Sequence, residues 1–306
     1  MSEIDRKDLG TNLNRGFDVA KRSRLPLALG ILVVVIAAAI AYVFAFNRHP
    51  AATAGEHFGP RLKVAYLSTD AAQEAFLKYI AKDIAGTYGI EVEPIGIGDP
   101  NQLHAAVSSG EIAATIYAHR PWIEQSNAAN HWTLVPLEPV FQWAYSLWSS
   151  KYKSLDELPS GARIAILDDP ANTAQALLFL ANNDVIKLKE NVDPSKGTVK
   201  DIAENPRNFK FVPIAFGTAA RTLADFDGII SYNFEFIAAG TPAAYKIFAP
   251  EAPLVFASQL AVSKPYISES NVEKLTKAFA DARVQNYLAT TDDPAVKGNL
   301  APVSKK

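Results

Sequence analysis

The feature that most constrains this chain is a stretch of 22 residues, 25–46, without one charged side chain. At a rise of about 1.5 Å per residue, a helix of this length spans the roughly 30 Å hydrocarbon core of a bilayer. Lys21, Arg22 and Arg24 lie directly before the stretch. Only Arg48 lies directly after it. Because basic residues mark the cytoplasmic end of a membrane helix, the pattern predicts that the chain is exported from about residue 50 onward.

A cleaved signal peptide is the alternative interpretation, because Ala52-Thr53-Ala54 resembles a small-residue cleavage site. However, the apolar region of a signal peptide is typically ~7–15 residues long, shorter than this one. We therefore favour an uncleaved transmembrane signal anchor at residues 25–46, preceded by a cytoplasmic stub at residues 1–24. Residues 47–60 are rich in Ala, Gly and Pro and are expected to form a short linker.

Composition narrows the chemistry available to the exported part. The chain has 306 residues and no cysteine, which excludes disulfides, thiolate zinc sites, a thiol nucleophile and a lipid-modified cysteine. Residues 1–50 carry seven basic and four acidic side chains, whereas residues 51–306 carry 23 and 28. A mildly acidic exported domain disfavours nucleic acid or an anionic membrane surface as its main partner.

Strand and helix patterns alternate in two series. The first begins with the β-rich run Arg61–Leu67, which is followed by a helical pattern at residues 70–88, and the second begins with a buried-type strand at residues 162–167. Two such series predict two doubly wound α/β lobes with a ligand cleft between them. The late apolar run at residues 254–262 is expected to return to the first lobe.

These patterns give the domain boundaries and two further elements. Lobe 1 is expected at residues 61–145 plus 246–300, and lobe 2 at residues 146–245. Residues 198–204 are predicted to form a short helix, and residues 269–288 one long amphipathic helix.

A search for catalytic and metal-binding motifs gives little. The chain contains no G-x-S-x-G elbow, no H-E-x-x-H and no P-loop, and Gly96-Ile97-Gly98 lacks the third glycine of a dinucleotide fingerprint. None of the five histidines stands three or four positions from another. Asp168-Asp169 is typical of turn and helix-cap chemistry and not of an acid/base pair. We therefore expect no enzyme activity, no metal and no cofactor.

Three predicted strand ends combine aromatic and small polar side chains, the mixture that a small-molecule cleft requires. They are residues 117–122 (YAHRPW), 168–172 (DDPAN) and 231–234 (SYNF). Ligands of two-lobed α/β proteins bind outside the carboxyl ends of strands, against helix N-termini. The alternative is that Tyr117 and Trp122 belong to the core and that His119 caps the helix beginning there.

At these positions the sequence resembles a known family. Residues 151–166 (KYKSLDELPSGARIAI) are followed by Asp169-Pro170-x-Asn172, and residues 201–206 have the pattern DIxENP. Together with Ser109-Gly-Glu-Ile112 leading to Tyr117-x-His119-x-Pro121, these motifs resemble the methionine-binding lipoprotein (NlpA/MetQ) family over roughly residues 61–265.

The resemblance implies a fold and a function. It implies a two-lobed periplasmic-binding-protein-like fold of type II and a substrate-binding protein of an ABC importer. Such a protein closes on a small-molecule ligand and docks on a permease whose partner ATPase is cytoplasmic. With the signal anchor, this places the domain outside the inner membrane of a bacterium, as a monomeric ectodomain tethered by its own helix.

The sequence departs from the family at the ligand clamp. Gln175 stands where the resemblance implies an arginine that grips the ligand carboxylate, and a neutral amide is a weaker partner for a carboxylate than a guanidinium. The family's Asn-Gly-Asn element is here Ser231-Tyr232-Asn233. A later family asparagine falls on Ser258. The ligand is therefore not expected to be methionine bound in the family manner.

Eight residues are the resulting candidates for ligand binding. They are Tyr117, His119, Trp122, Asn172, Gln175, Ser231, Asn233 and Ser258. Trp122, Trp143 and Tyr232 are candidate stacking surfaces for a less anionic or aromatic ligand. Two other function classes stay open: an anchored sensor or interaction module uncoupled from transport, and an enzyme on the same scaffold.

Overall fold

The computed structural model describes residues 56–303. The predicted stub (1–24), the predicted membrane segment (25–46) and most of the predicted linker lie outside the described residues. Within residues 56–303, no helix combines the length and apolar character that a bilayer crossing requires.

The described chain forms two main sheets and a small hairpin-like pair of strands. In chain order, the strands are β1 (Arg61–Leu67), β2 (Glu91–Ile97), β3 (Ala114–Thr115), β4 (Leu134–Trp143), β5 (Tyr145–Trp148), β6 (Arg163–Leu167), β7 (Lys187–Leu188), β8 (Ile202–Glu204), β9 (Lys210–Ile214), β10 (Gly228–Tyr232), β11 (Lys246–Phe248), β12 (Ser258–Ser263) and β13 (Leu300–Ala301). The first sheet has the order β13-β4-β12-β3-β1-β2, the second β11-β5-β10-β6-β9, and β7 pairs with β8.

Each main sheet has a parallel half and an antiparallel half. In the first, β1 runs parallel to β2 and β3, while β12 is antiparallel to β3 and β4. In the second, β6 is parallel to β9 and β10, while β5 is antiparallel to β10 and β11. We call the part of the chain around the first sheet lobe 1 and the part around the second sheet lobe 2. The two predicted α/β series thus lie in two separate mixed sheets.

The chain passes between the lobes twice. Ala144 alone separates β4 of lobe 1 from β5 of lobe 2. Its N–H donates to the Asn299 carbonyl, and its carbonyl accepts from the Asn233 N–H, at 2.8 and 2.9 Å. The return lies between β11 and β12, later than the expected position near residue 245, because Lys246–Phe248 pairs with β5 in the second sheet. The predicted return of the late strand to lobe 1 is confirmed by the pairing of β12.

Helices cover both sheets. They are α1 (Ala71–Tyr79), α2 (Pro100–Ser109), α3 (Arg120–Asn130), α4 (Pro170–Ala181), α5 (Ala219–Thr222), α6 (Asn233–Ala238), α7 (Ser270–Phe279) and α8 (Ala282–Thr290). A π-helical and then a 3₁₀ segment continue α1 to Tyr88, and Gly89 at φ +69° ends it, since glycine adopts positive φ without strain. The helical prediction for residues 70–88 is confirmed.

Three helices begin at strand ends through the same local chemistry. Asp99, His119 and Asp169 are the N-caps of α2, α3 and α4, and each side chain accepts a hydrogen bond from a first-turn N–H. A proline follows each cap within two residues, where its missing N–H removes no helical hydrogen bond. The caps place the N-termini of α3 and α4 beside the carboxyl ends of β3 and β6.

Two sequence predictions in the periphery are wrong. Residues 198–204 form one 3₁₀ turn followed by β8, because β8 pairs with β7. The predicted helix at 269–288 is two helices, since Asp281 has extended backbone and caps α8 by accepting from the Arg283 N–H. The hydrophobic pattern of the sequence is helical in both segments. It does not show that β8 pairs with a neighbouring strand or that Asp281 caps a new helix.

The end of the predicted linker is fixed to lobe 1. The Glu56 carboxylate accepts from the Ser270 N–H at 2.8 Å and from the Asn271 amide at 3.1 Å. In return, the N–H groups of His57 and Phe58 donate to the Glu269 carboxylate, each at 2.9 Å. The Glu56 carboxylate thus satisfies the Ser270 N–H at the start of α7, a group that a helix cannot bond internally.

An aromatic cavity as the candidate functional site

A narrow cavity lies where the carboxyl ends of the strands of the two lobes meet. About 20 Å³ of it is open to the centre of a water-sized sphere, which is room for about one ordered water and far below the roughly 300–1,000 Å³ of small-molecule clefts. Both lobes contribute to the lining, which consists of Tyr117, Ala118, His119, Trp122 and Trp143 from lobe 1 and Asn172, Phe216, Tyr232 and Phe234 from lobe 2.

Aromatic rings form most of this lining. Tyr117 and Trp122 meet edge to face with ring centroids 5.6 Å apart. Across the lobes, Trp143 meets Tyr232 edge to face at 5.5 Å, and Tyr232 stacks on Phe234 at 5.7 Å. Ring pairs of this kind contribute about 0.5–1.5 kcal/mol beyond the burial of their area. The rings therefore hold each other in place and form a fixed wall.

Asn172 is the polar centre of the cavity. Its Nδ2 donates to Asp169 Oδ2 at 2.7 Å, and this bond fixes the orientation of the amide. Its Oδ1 then lies 2.6 Å from the Tyr232 hydroxyl and 3.4 Å from His119 Nε2. The same hydroxyl lies 2.8 Å from Gln175 Oε1, and its single proton is donated to one of the two oxygens at a time.

His119 has two roles that the sequence presented as alternatives. Its Nδ1 accepts from the Trp122 N–H at 3.2 Å, so the residue caps α3. That bond puts the ring proton on Nε2, which faces Asn172 Oδ1. Burial lowers the pKa of His119 to about 4, while the bond to Asn172 acts in the opposite direction. The ring is therefore neutral at pH 7 and also lines the cavity.

Trp143 is held from behind by a buried carboxylate. Its Nε1–H donates to Asp70 Oδ2 at 3.2 Å, and Gln73 Nε2 donates to the same oxygen at 2.8 Å. The N–H groups of Ala72 and Gln73 donate to Asp70 Oδ1, so Asp70 also caps α1. Burial raises the pKa of Asp70, and these four donors oppose that shift. The indole N–H is thus occupied and not directed at a ligand.

The charges that act on the cavity are acidic. Burial raises the pKa of the Tyr117 hydroxyl, and the carboxylates of Asp169, Glu235 and Asp70 raise it further. No lysine or arginine is among the lining residues of this described region. No group of three or more His, Asp or Glu side chains within residues 56–303 is placed to hold a metal ion.

The eight sequence candidates divide into two groups. Tyr117, His119, Trp122 and Asn172 line the cavity, together with the candidate stacking rings Trp143 and Tyr232. Gln175 is buried on the far side of the Tyr232 hydroxyl and supports the lining from behind.

Three candidates lie outside the lining. Ser231 Oγ donates to Glu235 Oε1 at 2.9 Å. Ser258 Oγ donates to the carbonyl of Ile116. This hydrogen bond joins β12 to the segment that leads into Tyr117 of the lining.

Asn233 is also outside the lining. Its Oδ1 accepts from Trp148 Nε1 at 3.2 Å, and its Nδ2 donates to the Gly298 carbonyl at 3.4 Å. These bonds lie beside the Ala144 crossing, so Asn233 joins the second lobe to the first.

The sequence analysis did not select Ala118, Phe216 or Phe234 as site residues. Phe234 belongs to a strand end that was recognised, but its ring was not selected. Phe216 follows the carboxyl end of β9, and the same strand-end rule applied to β9 would have found it.

Comparisons with known proteins give matches over most of the chain. The family model described as NlpA lipoprotein matches residues 62–303. The D-methionine-binding lipoprotein MetQ of Escherichia coli is 30% identical over 208 residues, which are 67% of this chain and 75% of that protein.

Solved structures share the fold. A nutrient binding protein from Burkholderia cenocepacia bound to methionine is 28% identical with a TM-score of 0.65, covering 78% of this chain and 98% of its own. A YaeC-family lipoprotein from Enterococcus faecalis is 27% identical with a TM-score of 0.64, covering 80% and 100%. The chain therefore has a periplasmic-binding-protein-like α/β fold and belongs to the NlpA lipoprotein family.

Proposed function

We propose that this chain is the substrate-binding protein of an ABC importer, which binds a small organic molecule between its lobes and delivers it to a permease with a cytoplasmic ATPase. The observation that carries the proposal is the narrow cavity lined by side chains of both lobes. A ligand there contacts both walls at once and stabilises the closed form. The relative named as D-methionine-binding and the neighbour bound to methionine support this function.

The lining residues have distinct roles in this proposal. Tyr117, Trp122 and Tyr232 contact the ligand through their rings, and Asn172 and His119 orient its polar part. Gln175 holds the Tyr232 hydroxyl and does not itself contact the ligand.

Ser231, Ser258 and Asn233 position the walls. Their bonds to Glu235, to the Ile116 carbonyl and to Trp148 and Gly298 support this role.

The ligand differs from methionine bound through a cationic clamp. A carboxylate that leaves water requires charged or multiple hydrogen-bond donors, and without them its burial costs several kcal/mol. The lining offers no lysine or arginine, and the amide of Gln175 lies behind Tyr232. A less anionic ligand fits these walls better.

The apolar residues 25–46 are proposed to anchor the domain to the bacterial inner membrane, with the lobes outside. Relatives are named lipoproteins, whereas this chain contains no cysteine to carry a lipid. The bonds of Glu56 to α7 support a tether that begins at lobe 1. A membrane helix is a more permanent attachment than one acyl chain.

Mass spectrometry of small molecules released from the purified full-length protein tests the binding function. We expect about one small organic molecule per chain, because a closed cleft retains its ligand. Asn172→Leu removes the polar centre and should abolish retention, whereas Asn182→Leu, an exposed position at the end of the same helix, should not. Absence of any released molecule, together with no thermal shift across a broad metabolite panel, would contradict the proposal.

Delivery requires a second experiment. Reconstituted with a candidate permease and its ATPase, the loaded protein should stimulate ATP hydrolysis and ligand uptake. Ligand binding without stimulation would support an uncoupled sensor instead.

A further inference from the structure

The side chain of Tyr232 fills space between the two walls of the cavity. Tyr232 is the last residue of β10 in lobe 2, and its ring reaches Trp143 of lobe 1, which it meets edge to face at 5.5 Å. Only 5% of the residue is exposed. About 20 Å³ of open space remains in the cavity, which is room for about one water. The junction of the lobes is therefore filled by the protein's own side chains.

The ring of Tyr232 is packed against three other rings. Besides Trp143, Tyr145 meets it edge to face at 5.1 Å, and Phe234 stacks on it at 5.7 Å. Trp143 belongs to lobe 1, whereas Tyr145 and Phe234 belong to lobe 2. Apolar and aromatic walls of this kind surround the flat part of a small ligand in a binding cleft. The phenol of Tyr232 is thus packed in the way that a bound aromatic molecule would be.

The hydroxyl of Tyr232 occupies the polar end of the same space. It lies 2.6 Å from Asn172 Oδ1 and 2.8 Å from Gln175 Oε1, and it donates its single proton to one of them at a time. Both residues lie on α4, whose N-terminus is beside the carboxyl end of β6. Ligands of α/β sheets bind at this position. The phenol therefore uses the acceptors that the donor of a ligand would otherwise use.

Removal of the phenol would leave a shaped site. Truncation of Tyr232 at Cβ removes one ring from a space that three other rings enclose, and it leaves two amide oxygens at the far end. Trp143 is fixed from behind by its bond to Asp70, and Asn172 by its bond to Asp169. Voids of ring size in a well-packed core stay open and bind small aromatic molecules such as benzene. Here the amide oxygens add a requirement for a hydrogen-bond donor.

We propose, building on the proposed function, that Tyr232 is the specificity-determining residue of the cleft. Its phenol occupies the ligand position in the closed form. A ligand binds only when it moves this ring aside and gives a hydrogen-bond donor to Asn172 Oδ1 in its place. This requirement selects small neutral molecules with a flat apolar body and a hydroxyl or N–H donor. A molecule without the donor is rejected, because it leaves a buried acceptor unpaired.

Phenol is the probe that tests this proposal, with Tyr232→Ala in the full-length protein in lipid nanodiscs and calorimetry as the readout. Phenol is the part of the side chain that the substitution removes, and benzene, which lacks the hydroxyl, is its matched control. We expect the variant to bind phenol at least about fivefold more tightly than benzene, since benzene leaves Asn172 Oδ1 and Gln175 Oε1 without a donor. Equal affinities, or no binding of phenol by the folded variant, would overturn the proposal.

The other variants locate the phenol. The wild-type protein and Tyr232→Phe should bind neither probe measurably, because a ring already fills the position. Tyr152→Ala, which truncates a half-buried tyrosine outside the lining, should bind neither as well. Phenol binding by any of these three proteins with the affinity of Tyr232→Ala would place the probe elsewhere and overturn the proposal.

Chemical rescue keeps the test decisive if Tyr232→Ala is unfolded by itself. Phenol, and not benzene, is then expected to restore the far-UV circular dichroism of the folded protein, because a molecule that binds only the folded state stabilises it. Failure of phenol to restore the fold, with Tyr232→Phe folded, would overturn the proposal.

The outcomes separate this inference from the function on which it rests. Release of a small molecule from the wild-type protein, with no phenol binding by Tyr232→Ala, would overturn the role of Tyr232 and leave a substrate-binding protein. Phenol binding by Tyr232→Ala, with no released molecule and no thermal shift of the wild-type protein across the metabolite panel, would overturn the proposed function and leave a cleft that Tyr232 closes.

Discussion

The two walls of the cavity are held together by different interactions. The lobe 2 wall depends on side-chain hydrogen bonds, in which Asp169 fixes Asn172, and Asn172 and Gln175 share the hydroxyl of Tyr232. The lobe 1 wall depends on rings fixed at their backs, with His119 capping a helix and Trp143 bonded to Asp70.

Direct contact between the walls is sparse by comparison. The side chain of His119 approaches Asn172 at 3.4 Å, and Gln125 Oε1 accepts from the Ala171 N–H at 3.2 Å. Each wall is therefore held mainly by bonds within its own lobe, while two hydrogen bonds and the Trp143–Tyr232 ring contact join the walls. In the proposed function, this difference leaves much of the energy of closure to the ligand.

The largest effect is expected from a substitution that disrupts the hydrogen bonds of the lobe 2 wall. Asn172→Leu keeps the volume but removes the amide donor to Asp169 Oδ2 and one of the two acceptors of the Tyr232 hydroxyl, so we expect the unfolding free energy to fall by about 2–3 kcal/mol. Urea denaturation measures this loss. The same substitution at exposed Asn182 should change stability by less than about 0.5 kcal/mol. Equal losses at both positions would contradict a polar network in lobe 2.

The next prediction concerns a histidine behind the lobe 1 wall. His104 is fully buried among the rings of Tyr117, Trp122 and Trp132, and neither ring nitrogen has a hydrogen-bond partner in the described chain. Burial lowers its pKa to about 3. Between pH 6.5 and 3 the unfolded chain thus binds a proton that the folded chain does not, so stability falls as the pH decreases.

From pH 7 to pH 5 this loss amounts to about 2 kcal/mol for His104. His104→Leu should remove that part of the pH dependence in urea denaturation, whereas His131→Asn at an exposed position should retain it. Burial raises the pKa values of Asp70 and Glu235, so these two carboxyls increase stability as the pH decreases. Their contribution is the same in His104→Leu and His131→Asn. An unchanged pH dependence in His104→Leu would show that its imidazole is solvated.

A smaller effect is expected when residue 143 in the lobe 1 wall loses its hydrogen bond to Asp70 but keeps an aromatic ring. Trp143→Phe removes one of the four donors to buried Asp70, and we expect a loss of about 1–2 kcal/mol in thermal or urea unfolding. Trp132→Phe, which removes no hydrogen bond seen in residues 56–303, provides the control. If both variants lose the same stability, ring size and not the indole–carboxylate bond is responsible.

The smallest effect tests the contact between the walls. Gln125→Ala deletes the acceptor for the Ala171 N–H, and the loss should be about 0.5–1 kcal/mol, seen mainly as faster ligand release in stopped-flow fluorescence of the cavity tryptophans. Glu124→Ala, on the exposed side of the same helix, should leave the release rate unchanged. A slower release in Gln125→Ala would contradict the assignment of this bond to the closed form.

Local chemistry was the predictable part of the site. The proline-flanked cap at Asp169 and the cap at His119 could be inferred from residue types alone, because N-capping depends on a few adjacent residues. The strand ends bearing Tyr117, Trp122 and Asn172 were found for the same reason. In contrast, the pairing of β8 with β7 depends on residues distant in sequence, and the sequence pattern missed it. The break at Asp281 is a local cap that the helical period of the surrounding residues concealed.

The sequence by itself determined the two α/β series, the family, and which strand ends carry aromatic and amide side chains, since periodicity and motifs are local properties. Only the tertiary structure decided that Gln175 stands behind Tyr232 and that Ser258 and Asn233 bond away from the cavity. These placements depend on which segments, distant in sequence, pack against one another within each lobe and at the junction between them. Burial and hydrogen-bond satisfaction between such segments have no signature in either segment alone.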